Sequence, residues 1–149
     1  MRSTKNTAIK IAEALVCVAR DQGQSVDPLK LQKLLYFAQA ISLVRNNKLL
    51  FKDSVGAWTH GPVVRSVYKK YQDYGRGAIT CDKRVEELGL SKKDIAVLED
   101  TLETFKRYTG TQLRNMTHKH LPWKEVFQEG RNVAIKSKRM QGYYLGVFA

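Results

Sequence analysis

The chain has 149 residues, 43% hydrophobic and 27% charged, a composition that excludes wholesale disorder and suits one domain with its own core. With 26 Lys and Arg against 14 Asp and Glu, the formal net charge is +12, which favours contact with something acidic. No apolar run approaches the roughly 20 residues of a membrane-spanning helix. The segment after the first seven residues carries Lys10 and Glu13, so no secretory leader is read, and a cytoplasmic protein that avoids membranes is expected.

Apolar residues at Ala8, Ile11, Ala12, Leu15, Val18 and Ala19 recur at three and four. That spacing predicts a first helix over 4–22, stopped by Gly23. Asp27-Pro28 reads as an N-cap followed by proline at the first helical position. The second helix it opens has Leu31, Leu34, Leu35, Ala38 and Ile41 inward and decays at Asn46-Asn47. Residues 48–60 lose the helical period. Leu50-Phe51 and Val55 to Trp58 are expected to pair as a short hairpin around Lys52 to Ser54. Pro62 starts a predicted third helix through Tyr74, which Gly75 ends.

The stretch 76–90 has no sustained period. Ser91 with Asp94 three places on predicts the start of a fourth helix, running to about 108. Shorter helices are predicted over 111–116 and from Pro122 through Phe127, and a last one from Ser137. The expected fold is therefore mainly α: a compact single domain, 1–149, of six or seven helices with at most a small β-hairpin.

Little in the sequence points to catalysis. The two cysteines, Cys17 and Cys81, make neither a disulfide framework nor a metal cluster, and Cys17 reads as a reduced, buried thiol. His118 and His120 are two apart, which points them to different sides of a helix and matches no zinc spacing. Neither a nucleophile elbow nor a phosphate loop accompanies them or His60. No catalytic residue, cofactor or metal is expected.

The cations suggest two surfaces. Arg65, Lys69 and Lys70 interleave with Tyr68, Tyr71 and Tyr74 on the predicted third helix. They read either as a phosphate-tracking surface or, more simply, as solvated lysines over inward-packed tyrosines. The tail combines Arg131, Lys136, Lys138 and Arg139 with Tyr143, Tyr144, Leu145, Val147 and Phe148. It is either a terminal helix docked on the core or an amphipathic element that enters a partner's groove. Candidate partner-binding residues are Arg76, Arg139, Tyr143, Tyr144, Leu145 and Phe148.

Three stretches also carry a family resemblance. They are Leu29-Lys30-Leu31-Gln32-Lys33-Leu34-Leu35-Tyr36-Phe37-Ala38-Gln39; Leu50-Phe51 and Ala57-Trp58-Thr59-His60-Gly61-Pro62-Val63-Val64, with Val67-Tyr68 and Tyr74-Gly75; and Thr117-His118 with Pro122-Trp123. Together they resemble the Panacea domain, also called the SocA-like or phage-associated GepA-like domain. The resemblance implies an antitoxin that neutralises a cognate toxin, encoded nearby, by binding protein to protein. A basic, non-catalytic nucleic-acid-binding module is the alternative.

The family-motif residues here are Leu31, Lys33, Leu34, Tyr36, Trp58, His60, Gly61, Pro62, Val63, Tyr68, His118, Pro122 and Trp123. Elementary packing reads them as mainly scaffold. Lys33 is expected to pair with an acid or stay solvated, and Gly61-Pro62 to fix how the chain enters the third helix. The partner surface is then expected within 76–90 and the tail, 131–149.

Overall fold

Side-chain caps set the first two helices. In the computed structural model, which describes residues 1–149, Thr7 accepts from the Lys10 amide and opens α1, Ala8–Asp21. Asp27 accepts from the Lys30 amide and opens α2, Pro28–Asn46, which Asn47 ends in the left-handed conformation. The boundaries expected for α2 hold. The first helix starts later than expected, because the residues before Thr7 run beside 47–52 instead: the Arg2 amide donates to Asn47 and the Lys52 amide to Asn6.

Helix α2 is the axis of the molecule. Lys30 through Leu43 are buried without a break, so the helix is enclosed on every side and not along one face only. Two buried glutamines make that enclosure tolerable. Gln39 accepts from the Leu50 amide at 2.7 Å and donates to the Phe51 carbonyl at 2.8 Å. Gln32 serves both backbone groups of Val64 in the same way, at 2.8 and 3.1 Å. Each amide side chain replaces a strand partner for a neighbouring segment.

That arrangement corrects the expected hairpin. Leu50 and Phe51 spend backbone groups on Gln39 and form no strand. Instead β1, Val55–Trp58, turns at Thr59-His60 into β2, Gly61–Val63, with Trp58 opposite Gly61. From the tail, β3, Val133–Ile135, pairs antiparallel along the other edge of β1. Pro62 therefore lies in an edge strand, where its missing N–H is tolerated, and does not begin a helix. The third helix, α3, is Arg65–Tyr71, continued by a 3-10 turn to Tyr74.

The remaining helices are α4, Lys92–Phe105, capped by Ser91; α5, Gly110–Lys119; α6, Leu121–Lys124; and α7, Ser137–Phe148. A capping box of Thr109 and Gln112 starts α5, which reaches three residues beyond the expected end and so carries His118. Seven α-helices and one three-stranded antiparallel sheet make the fold mainly α.

One expectation fails here, and one of the two readings of the tail is selected. Cys17, fully buried in α1, is joined to Cys81 in a disulfide, not held as a free thiol. The 76–90 segment, expected to be irregular, forms a 3-10 turn over Val85–Leu88 and lies against α1 and the loop after it: the Arg20 guanidinium donates to the carbonyls of Cys81 and Lys83, and the Ile79 amide to the Val26 carbonyl. The tail helix is docked on the core. Tyr144 is fully buried, edge-on to Tyr36 at 5.7 Å, so it is a core residue and unavailable to a partner.

Candidate functional site

The packing that encloses α2 leaves one open cleft of about 630 Å³ beside its first turns. Leu31, Gln32 and Lys33 of α2 form one wall; Trp58, Thr59, His60 and Val63 of the hairpin form a second. Val67, Tyr68 and Tyr71 of α3 face them, and Phe127, Arg131 and Asn132 close the end. The volume falls in the range of ligand sites, about 300–1,000 Å³.

Lys33 neither pairs with an acid nor reaches water, contrary to expectation. It has no exposed surface, and its ammonium donates to the Pro62 carbonyl at 2.8 Å. Burial, with the Arg114 guanidinium second, lowers its pKa to about 7. The hairpin turn fits over it only because residue 61 is glycine. A Cβ there would lie 2.9 Å from both Lys33 Cε and Thr117 Oγ1, and Gly61 has φ of 101°.

Further basic side chains gather around this lysine. Arg114, on α5, donates from Nε to His60 Nδ1 at 3.2 Å. His118, one turn along the same helix, stacks on Trp123 with centroids 3.9 Å apart. Desolvation, then the charges of Arg114 and Lys33, holds the His118 imidazole below its ordinary pKa. No Asp or Glu lines the cleft.

The rings brace the hairpin. Trp123 Nε1 donates to the Trp58 carbonyl at 2.8 Å, and Trp58 Nε1 to Asn132 Oδ1 at 2.9 Å. Phe127 continues the His118–Trp123 stack at 4.7 Å, and the Trp58 ring leans on Tyr68 at 5.3 Å. Both indoles therefore have the polar partner a packed tryptophan needs.

Of the family-motif residues, Leu31, Lys33, Trp58, His60, Val63 and Tyr68 line the cleft. Gly61, Pro62, His118 and Trp123 hold its hairpin wall, as described, with buried Pro122 in α6 beside Trp123. Leu34 and Tyr36 lie in the core. The motif is thus scaffold on one side and cleft wall on the other. None of the six candidate partner-binding residues lines the cleft. Arg76 is exposed, Arg139 is exposed and paired with Glu125, and Leu145 is 55% exposed. Tyr143 and Phe148 are half-buried, against His120 and Phe105 respectively.

His120 stands apart from the other two histidines, with Nδ1 2.8 Å from the Tyr144 hydroxyl. On α3 and the 3-10 turn after it, Tyr71 packs inward while Tyr68 and Tyr74 stay 45% and 39% exposed, so the inward packing expected of all three holds for one. Sequence reasoning missed Arg114, Phe127 and Asn132 as site residues. Arg114 had a signal, the Thr109-Gln112 box that places it one turn before His118; Asn132 had none.

A family model described as "Antitoxin SocA-like, Panacea domain" matches residues 31–124, from the second turn of α2 through α6. No curated protein and no solved structure matches the chain.

Proposed function

Because the chain belongs to the SocA-like antitoxin family with its Panacea domain, we propose that it neutralises a cognate toxin by binding it directly, and that the cleft beside α2 carries the contact. The observation behind this reading is one convergence. Trp58, His60, Val63 and Tyr68 come from the hairpin and α3 within the matched span and meet on one concave, open, largely apolar surface, with Lys33 of α2 buried directly behind it. A concave site with a few placed polar groups is where binding proteins meet their ligands. The chain acts as a binder and not as an enzyme, and its positive charge steers encounter with an acidic partner. No helix is long and apolar enough to cross a membrane, and the proposed place of action is the cytoplasm, where the Cys17–Cys81 pair would be held as thiols.

The test is co-expression with the product of the adjoining open reading frame, scored by growth and by affinity pull-down. The expected result is a neighbour that is toxic alone, harmless with this chain and co-purified with it. Tyr68→Ala, at a half-exposed wall position, should restore toxicity while leaving the melting temperature unchanged. Growth arrest that this chain does not relieve would sink the reading.

A second reading has its own observation. Arg65, Lys69 and Lys70 are exposed on α3 beside exposed Tyr68 and Tyr74, the combination that tracks a single-stranded backbone. It requires nucleic-acid binding that weakens steeply with salt. Flat, weak binding at low salt would remove it.

A further inference from the structure

The cleft is one-sided in charge. Its lining includes Lys33 and Arg131 and no carboxylate, and Arg114 abuts it through His60, whose Nδ1 accepts from the guanidinium. The Lys33 ammonium has three N–H groups and forms no ion pair; its hydrogen bond goes to the Pro62 carbonyl. A lysine enclosed without a counter-ion is costly, and a nearby anion relieves that cost. The opposite wall is aromatic, with Trp58 and Tyr68 in contact and Tyr68 half open to water.

These features discriminate among anions. A polyphosphate calls for several convergent donors. Here one enclosed lysine amine and two guanidinium groups, Arg131 in the lining and Arg114 behind His60, sit among apolar rings, which suits a single carboxylate with apolar neighbours. We propose that the cleft receives an acidic side chain of the bound partner, an Asp or Glu flanked by apolar residues. Its carboxylate accepts from the His60 Nε2–H, with the Arg114 guanidinium behind that ring; its neighbours pack on Trp58 and Tyr68, and Lys33, whose protonated form an anion favours, acts from beneath Gly61 and Pro62. This rests on the reading that the cleft is the docking face.

The test uses the full chain, isotope-labelled, and follows the Trp58 indole and the His60 and Tyr68 amides by NMR. The probes are a capped Leu-Glu-Phe tripeptide, its Leu-Gln-Phe counterpart, ATP and inorganic phosphate. The Glu peptide is expected to shift the three signals, and the Gln peptide to bind about tenfold more weakly. Arg114→Met, at a half-exposed position and compared at an unchanged melting temperature, should abolish that difference; Lys33→Met should do the same where it folds. Equal binding of the two peptides, or no shift from either, overturns the proposal. Shifts from ATP or phosphate with none from the Glu peptide overturn it in favour of a phosphate ligand. Either result leaves growth protection by co-expression intact, whereas a chain that fails to protect overturns the antitoxin reading whatever the peptides do.

Discussion

A lysine on a helix that later segments surround has no route to water, and at Lys33 that confinement makes charge and stability interdependent. The unfolded chain keeps the proton to about 10.5, whereas the fold releases it near 7. Between those values the unfolded state binds more protons, so this group makes stability rise with pH through that window. Above about pH 10 the trend is opposed by Tyr36, Tyr71 and Tyr144, which burial makes keep their protons longer in the fold. Lys33→Met should flatten the rise in urea midpoint between about pH 7 and 10; parallel slopes for both chains would refute the assignment. Gly61 is the companion position. Gly61→Ala combines a left-handed backbone with 2.9 Å contacts on Lys33 and Thr117. A loss of about 1–3 kcal/mol in denaturant unfolding is expected. The place of Gly61 in the motif is legible in the amino acids but its reason is not, since nothing in its neighbours announces a lysine from α2 beneath it.

Among the elements, α2 shows how far local signals reach. Asp27, Pro28 and Asn47 mark its ends through contacts within four residues, and the expected boundaries hold. The hairpin shows where such signals stop. Leu50 and Phe51 have the composition of a strand, yet their backbone groups are taken by Gln39, a side chain of α2. Helix α7 makes the same point for the tail. Its cations and aromatics fit either a docked helix or one that enters a partner's groove, and it is the fold that buries Met140 and Tyr144 and lets Gln141 donate to the Leu43 carbonyl at 2.8 Å. Deleting residues 137–149 should therefore unfold the protein, seen as loss of a cooperative melt. By contrast, Leu145→Ser with Val147→Ser, both more than half exposed, should change stability by no more than about 0.5 kcal/mol. If the double variant alone restores toxicity in the growth assay, the partner surface extends to α7.

At the scale of the whole molecule, long-range links tie the irregular segments down. The Cys17–Cys81 bond spans 64 residues and pins the 76–90 stretch to α1. Cys17→Ala should lower unfolding stability by about 2–4 kcal/mol in non-reducing buffer and by much less once the native chain is reduced. Equal stability of the two chains without reductant would show that the link contributes nothing. The cleft is a whole-molecule feature as well, since its walls come from α2, the hairpin, α3 and the segment after α6. The motif residues and the family resemblance they carry are legible in the order and spacing of the amino acids alone. Their division into core and cleft wall is not, because that depends on which faces the other helices leave uncovered.

Caps, periodicity and turn residues act through neighbours a few positions away, so the mainly α character and the limits of α2 could be read directly from the amino acids. The burial of Lys33, the strand β3 on β1, the disulfide and the Asn132 bond to Trp58 were decided only by folding. Each depends on which distant segments meet once the common core closes around α2, and no local preference encodes that meeting.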